Sequence, residues 1–214
     1  METFNISLKR FDEFAAEYAN KYNSIDSYLS SINKFCDLIK SDKPKILELA
    51  CGPGNITKYV KQRFPLSEYI AIDLSQKMIE IAKEQVKGVD FRIMDMRELS
   101  TLNSKFDSIM CSFGLPFLSK YDANKLISNC SKLLNKYGVV YMSTMEGDES
   151  EAGFESTNFS GDYKIYFNYH QQKDIENAFV ENGFNINEIK RQDYIESDGR
   201  VLIDMIFIAT KKNN

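Results

Sequence analysis

Three acidic residues, Glu48, Asp73 and Asp95, stand at the ends of three successive short apolar runs. Asp73 lies 19 residues after Gly54, a position from which a carboxylate can accept hydrogen bonds from both hydroxyls of a ribose. Asp95 can accept a hydrogen bond from an exocyclic amine, while the backbone N–H of Met96 faces a ring nitrogen of the same base. This pattern favours a nucleoside ligand whose other end is cationic.

The turn after the first run has a composition that admits a ligand against the backbone. Ala50, Gly52 and Gly54 are small, and the helix that follows offers free N–H groups. A dinucleotide site would need a third glycine where this chain has Thr57, and a pyrophosphate would meet the Glu48 carboxylate unfavourably. An oxidoreductase that binds NAD is therefore the disfavoured alternative, and a ligand with an ammonium or sulfonium group is favoured.

The overall composition is that of a soluble, single-domain protein. The chain has 214 residues, of which 43% are hydrophobic and 27% charged, with a net charge of −4. Such a chain lacks the basic surface of a general nucleic-acid binder, and no apolar run is long enough for a membrane span. Four scattered cysteines and one histidine cannot form the usual zinc ligand sets. We expect a cytoplasmic protein without a signal peptide or metal, as a monomer or homodimer.

Short apolar runs alternate with amphipathic helices through most of the chain, which predicts an α/β fold with a parallel sheet. A helical region occupies the first forty residues, with helices predicted over 11–22 and from Ser24 to Ile39. In the tail, a helix over 171–182 precedes two long runs around Asp198-Gly199, a hairpin signal that predicts an antiparallel edge. The predicted strands span 45–50, 68–72, 89–94, 106–111, 139–144, 184–194 and 200–209.

Five segments in this order resemble the class I S-adenosylmethionine-dependent methyltransferases of the small-molecule type. They are ELACGPGN (48–55), AIDLSQKMIEIAK (71–83), VDFRIMDMREL (89–99), FDSIMCSFGLPFL (106–118) and LLNKYGVVYMS (133–143). The resemblance implies a Rossmann-like doubly wound sheet of seven strands in the order 3-2-1-4-5-7-6, with strand 7 antiparallel. It also implies an N-terminal helical cap, S-adenosylmethionine as cofactor and S-adenosylhomocysteine as product.

The resemblance assigns the adenosine half of that cofactor to the second and third strand ends. Asp73 would bind the ribose hydroxyls, and Leu74 would pack on the adenine. Asp95 and Met96 would read the adenine edge.

At the methionine half, Glu48 and the turn at Ala50 and Gly52 would hold the amino-acid portion, and Ser112 and Phe113 would lie beside the sulfonium. The amino-terminal segment FDEFAAEYANKY (11–22) resembles the lid helix of these enzymes. Tyr18 and Tyr22 would then close over the cofactor, although their spacing also fits a helix core.

The methyl acceptor is expected to be a small molecule with an O, N or C nucleophile, bound near Phe117, Tyr166 and His170. His170 has a second interpretation, in which it only orients the start of the next helix. Alignment of the acceptor with an activated methyl group supplies most of the catalysis, so no catalytic residue is predicted. A cofactor-binding module without turnover remains the other alternative.

The expected organisation is one domain with a helical cap (1–43), a cofactor-binding core (44–145), a substrate-covering insertion (146–170) and a carboxyl-terminal helix with two antiparallel strands (171–214). The segment from Glu146 to Asp162 carries six acids and neither Lys nor Arg. It is interpreted as a solvated loop or, alternatively, as a lid whose charge favours an amine or another cationic substrate.

Overall fold

The computed structural model describes residues 2–157, 159–160, 163–195 and 199–213. Helices and strands alternate through the middle of the chain, as the sequence predicts. The helices are α1 (Glu2–Glu13), α2 (Ala15–Lys21), α3 (Leu29–Leu38), α4 (Asn55–Arg63), α5 (Gln76–Gln85), α6 (Lys120–Leu133) and α7 (Gln172–Glu181). The strands are β1 (Lys45–Leu49), β2 (Glu68–Asp73), β3 (Asp90–Ile93), β4 (Phe106–Cys111), β5 (Leu134–Met145), β6 (Gly153–Ser156), β7 (Lys164–Phe167), β8 (Phe184–Ile195) and β9 (Val201–Lys211).

Seven strands form one sheet in the order β3-β2-β1-β4-β5-β9-β8. The first five are parallel, and β9 is antiparallel to both of its neighbours. The predicted order, 3-2-1-4-5-7-6, becomes 3-2-1-4-5-9-8. Two strands that the sequence analysis missed, β6 and β7, precede the last pair in the chain and raise the numbers of that pair by two. Strands β6 and β7 form a separate antiparallel hairpin.

The parallel sheet is covered on both faces, which explains why its strands are almost wholly apolar. On β1, Leu47 faces the core under α6 and α7, whereas Ile46 faces the core under α3, α4 and α5, and both are fully buried. Burial of such a side chain contributes about 1.5–3 kcal/mol. The two cores fix the strands whose ends carry the candidate site.

Helices α5 and α6 each begin directly after a serine whose side chain caps the helix. The Ser75 hydroxyl accepts a hydrogen bond from the Met78 backbone N–H at the start of α5. Ser119 caps α6 in the same way, because its hydroxyl accepts from the Asp122 backbone N–H. The predicted helix 11–22 is divided at Phe14 into α1 and α2, and a short 3-10 turn, Asp26–Tyr28, precedes α3.

The amino-terminal helices pack beside the insertion between β5 and α7. The Tyr166 backbone N–H donates to the Ser7 hydroxyl of α1 at 3.0 Å. The Phe11 ring contacts Phe117 and Phe159, with ring centroids 5.1 and 5.6 Å apart. The predicted turn residue Asp198 lies outside the described residues, although Ile195 and Val201 on either side are paired. No described helix combines the length and apolar character required to cross a bilayer.

Candidate functional site

Two cavities lie at the carboxyl ends of the parallel strands, where open α/β sheets bind ligands. The inner cavity lies at the ends of β2 and β3, and the outer cavity lies under α2, Tyr28 and the β6–β7 hairpin. Both cavities are lined by Phe11, Tyr18, Ala50, Gly52, Ser112, Phe113 and Phe117. These shared walls make the two cavities one continuous crevice.

The turn after β1 brings backbone to the crevice surface. Ala50 and Gly52 have φ angles of 51° and 54°, and Gly54 has a φ angle of 87°. A Cβ atom on Gly52 would meet Tyr18 only at 3.8 Å, so the crevice stays open there, whereas one on Gly54 would approach the Ala82 Cβ to 3.1 Å. Gly52 thus leaves room for a ligand, and Gly54 allows close packing of this turn against α5.

Asp73 is the most firmly positioned acid of the inner cavity. Its Oδ2 accepts from the Gly52 N–H and its Oδ1 from the Ser75 N–H, both at 2.9 Å. Burial raises the pKa of Asp73, and these backbone hydrogen bonds partly oppose the rise. The carboxylate is therefore held in one orientation against the inner cavity, where Leu74 lies beside it.

Asp95 and Met96 also line the inner cavity. The Asp95 carboxylate caps a 3-10 turn by accepting from the Arg97 N–H at 2.8 Å, and it forms an ion pair with the Arg97 guanidinium at 2.5 Å. The sequence analysis did not include Arg97, which fixes the direction of this carboxylate. The four residues predicted to contact adenosine, Asp73, Leu74, Asp95 and Met96, therefore line one cavity.

Glu48 lies deeper, with 2% of its surface exposed, and lines the outer cavity. Its Oε2 accepts from the Tyr69 hydroxyl at 2.7 Å. Burial raises the pKa of Glu48 to about 7. A cationic group bound nearby would lower that pKa and favour the carboxylate, so the position suits an ammonium.

The turn after β4 packs closely against the turn after β1. Phe113 has a φ angle of 54°, and its N–H donates to the Ser143 hydroxyl at 2.9 Å. A Cβ atom on Gly114 would approach the Cys111 Sγ to 2.6 Å and the Ala50 Cβ to 3.1 Å. Left-handed conformations at two residues that carry side chains, Ala50 and Phe113, are strained and are typical of ligand sites.

Aromatic rings also line the crevice. Tyr18 and Tyr22 have ring centroids 4.7 Å apart, and Tyr18 also contacts Phe159 at 5.0 Å. Burial raises the pKa of Tyr18, so its hydroxyl stays protonated. Both tyrosines line the outer cavity, as does Phe117, where the sequence predicts contacts.

The structure places Tyr166 and His170 elsewhere. Strand alternation turns Phe167 into the outer cavity, while the Tyr166 ring packs on Phe154 with centroids 5.3 Å apart. His170 is 3% exposed, and its Nε2 lies 3.0 Å from the Leu115 carbonyl oxygen. Burial lowers the pKa of His170, so the neutral ring fits a packing role beside the start of α7.

Within the described residues, two acids of the insertion have ion pairs. Glu146 pairs with Arg191, and Glu155, which lines the outer cavity, pairs with Arg200 at 3.0 Å. Asp148 and Glu151 form a capping box, whose hydrogen bonds to backbone N–H groups do not neutralise their charge. Asp162 lies outside the described residues. The described acid of this segment that lines the outer cavity is thus compensated by a cation.

Sequence reasoning missed Tyr28 and Asp204, whose side chains meet in the wall of the outer cavity. The Tyr28 hydroxyl donates to the Asp204 Oδ2 at 2.6 Å. A signal exists for Asp204, since it is the one acid in the apolar run VLIDMIFIATK of β9. The described residues contain no group of three or more His, Cys, Asp or Glu arranged to hold a metal ion.

A mostly parallel sheet in this strand order, with acids at three neighbouring strand ends, has the doubly wound, Rossmann-like fold. Residues 46–138 match the model of a methyltransferase domain. This match covers the strand ends and turns that line the crevice from β1 to β4, so this part of the chain is similar to methyltransferase domains.

Several known proteins are similar to the chain. A demethylmenaquinone methyltransferase of Thermotoga maritima is 29% identical over 62% of the chain and 58% of that protein. An uncharacterized methyltransferase of Alkaliphilus oremlandii is 28% identical over 86% of the chain and 92% of that protein. The magnesium protoporphyrin IX methyltransferase of Synechocystis, solved with bound S-adenosylmethionine, has the same fold, with a TM-score of 0.73 at 15% identity and coverage of 99% and 98%.

The chain spans 42–58% of the length of three of its curated relatives, among them the Thermotoga protein.

Proposed function

We propose that this protein transfers the methyl group of S-adenosylmethionine to a small-molecule nucleophile. The observation that carries the proposal is the continuous crevice at the strand ends, with Glu48, Asp73 and Asp95 along it. Two relatives, named demethylmenaquinone methyltransferase and malonyl-[acyl-carrier protein] O-methyltransferase, support methyl transfer as the reaction.

The residues of the crevice fit the cofactor, with its adenosine in the inner cavity. Asp73 accepts one backbone hydrogen bond on each carboxylate oxygen, which leaves a lone pair on each for a ribose hydroxyl. Leu74 and Met96 offer apolar surface to an adenine ring, and Asp95 accepts from its amine. Glu48 binds the ammonium group, and Gly52 and Ala50 allow the chain between the two ends to lie on the backbone.

Bound in this crevice, the cofactor supplies a methyl group already activated by a sulfonium. The residues of the chain exclude water and align the acceptor, an effect worth roughly 7–11 kcal/mol in ideal cases. Ser112 and Phe113 follow β4 and line both cavities, so they set the place where methyl donor and acceptor meet. Aromatic faces near a sulfonium contribute about 0.5–2 kcal/mol each.

The amino-terminal helices and the insertion are proposed to be the covers of this crevice. Tyr18 of α2 and Tyr22, which follows this helix, line the outer cavity together with Phe159 and Phe167 of the insertion. Phe11 contacts both Tyr18 and Phe159, which joins the two covers.

Two measurements on the whole chain test the proposal. Titration calorimetry should show binding of S-adenosylhomocysteine at one site and none of NADH. Release of S-adenosylhomocysteine from S-adenosylmethionine should then depend on one class of acceptor in a panel of amines, hydroxyl compounds and carboxylic acids. Binding of NADH alone would favour the oxidoreductase alternative, and cofactor binding without turnover on any acceptor would favour the binding module.

A further inference from the structure

We propose that the methyl acceptor carries a cationic amine and that Asp204, held by Tyr28, is the residue that selects it. The inference rests on the proposed methyl-transfer function and deepens it by naming the substrate class. The insertion, which the sequence offered as a source of such selectivity, supplies only Glu155 to the described lining of the outer cavity.

Asp204 is an acid built into the apolar part of the sheet. It lies on β9 opposite Met145, at the carboxyl end of β5, and 3% of its surface is exposed. A carboxylate so buried is costly unless hydrogen bonds or an opposite charge compensate it. Because Asp204 lines the outer cavity, a cationic ligand there would stabilise it and be stabilised in return.

Tyr28 holds the Asp204 carboxylate from within the same cavity wall. Its hydroxyl donates to the Oδ2 at 2.6 Å, and burial together with the Asp204 charge raises the pKa of Tyr28, so it remains a donor. The Tyr28 ring meets Phe113 edge to face, with centroids 5.2 Å apart. Asp204 is thus connected through one aromatic pair to the residue proposed to lie beside the sulfonium.

The other acids of the outer cavity have different assignments. Glu155 is bound by Arg200, and the Tyr169 hydroxyl also donates to it. Glu48 is bound by Tyr69 and serves the methionine side. Asp204, by contrast, is bound by Tyr28, which also lines the outer cavity.

The rest of the wall favours a cation and disfavours an anion. None of the described residues that line the outer cavity is Lys, Arg or His, so a carboxylate acceptor would meet no compensating charge from them. Tyr28, Phe113, Phe117, Phe167 and Tyr194 supply aromatic surface that a protonated amine can also contact. Repulsion of anions and attraction of amines together give the selectivity.

The experiment measures binding of matched ligands to the whole chain saturated with S-adenosylhomocysteine. Two sets serve as probes: phenethylamine, phenethyl alcohol and hydrocinnamate, and cyclohexylamine, cyclohexanol and cyclohexanecarboxylate. At least one amine should bind about tenfold more tightly than its alcohol and acid counterparts. Asp204→Asn should weaken amine binding about tenfold, and Tyr28→Phe should weaken it less, while both variants keep the wild-type affinity for S-adenosylhomocysteine.

Asp193→Asn is the matched control, since Asp193 lies exposed on the neighbouring strand β8 and does not line the cavity. It should leave amine binding unchanged. Equal or tighter binding of the acids, no amine binding in either set, or full amine affinity in Asp204→Asn would each overturn the inference. Failure of the wild-type protein to bind S-adenosylhomocysteine would instead contradict the proposed function.

Discussion

Asp73 combines two tasks at one carboxylate. It joins the turn after β1 to the start of α5, because Gly52 and Ser75 donate to its two oxygens. The same bonds leave each oxygen able to accept a further hydrogen bond from the crevice. Structure and ligand binding are therefore coupled at this residue.

Asp73→Asn should weaken binding of S-adenosylhomocysteine by about 1–3 kcal/mol, since the amide loses an acceptor toward the ribose and meets a backbone donor. Calorimetry measures the difference. Asp90→Asn is the control, because Asp90 lies on neighbouring β3, pairs with Arg92 and is half exposed. Equal affinity of wild type and Asp73→Asn would remove the assigned pose.

Glu48 makes stability depend on pH. Its folded pKa of about 7 lies above the ordinary 4.5, so the folded state holds a proton that the unfolded state loses between these values. The contribution of Glu48 to the free energy of unfolding is fully present below pH 4.5. It falls by on the order of 3 kcal/mol as the pH rises to 7. Glu48→Gln should flatten this part of the profile, measured as the free energy of unfolding in urea.

The matched control for that profile is Glu68→Gln, an exposed acid on β2 whose replacement should leave the slope as in wild type. A slope unchanged by Glu48→Gln would mean that burial does not raise the Glu48 pKa. The same variant should bind S-adenosylhomocysteine more weakly at pH 8, where the wild-type carboxylate is ionised.

At the scale of elements, the turns after β1 and β4 form one strained unit. Ala50 and Phe113 adopt left-handed conformations, and Gly114 lies between Cys111 and Ala50 with no space for a side chain. Such strain costs of order 1–3 kcal/mol at each residue and persists because the packed strands hold it. The two turns that line the crevice therefore hold this conformation before a ligand binds.

Gly54→Ala should destabilise the fold more than Gly183→Ala. Both glycines have positive φ angles, 87° and 78°, so the backbone strain is similar. A Cβ atom on Gly54 would press on Ala82, whereas one on Gly183 meets nothing within 4 Å. The difference between the two variants, about 1–3 kcal/mol in urea unfolding, isolates packing of the turn against α5. Equal destabilisation would show that this contact relaxes freely.

The strands of the central sheet were predictable because their apolar runs are short and bounded by Pro, Gly or acids. Sequence predicts 106–111 as a strand, and β4 spans Phe106–Cys111. The β6–β7 hairpin was missed because each of its strands has only four residues and β6 lies in the acidic segment. Its pairing depends on docking to α1, where Tyr166 donates to Ser7, 159 residues away in sequence.

The residues of the candidate site likewise divide into those that the sequence could predict and those that it could not. Glu48, Asp73 and Asp95 were found because each stands at or near the carboxyl end of a recognisable strand. Asp204 was not, because its partner Tyr28 is 176 residues away and no local pattern joins them. The sequence predicts Tyr166 in the site, whereas Phe167 lines the outer cavity, because sequence spacing alone does not fix which face of β7 points inward.

Across the whole molecule, the crevice joins parts that are distant in the chain. Phe11 of α1, Tyr18 of α2, Phe117 after β4 and Phe159 of the insertion make one set of ring contacts over it. A ligand that fills the crevice contacts all of these parts and the ends of four strands. Binding should therefore stabilise the entire fold.

S-adenosylhomocysteine at 100 times its dissociation constant should add about 2.7 kcal/mol to the free energy of unfolding. For a chain of this length, that shift raises the midpoint of thermal unfolding by about 5–10 °C. Scanning calorimetry measures it, with NADH at equal concentration as control. A shift with NADH and none with S-adenosylhomocysteine would exclude the proposed cofactor.

The most direct measurement is a crystal structure of the chain with S-adenosylhomocysteine. We expect adenine between Leu74 and Met96, both ribose hydroxyls on Asp73, and the amino group of the ligand near Glu48. Density for the compound outside this crevice, or its ribose turned away from Asp73, would contradict the central claim.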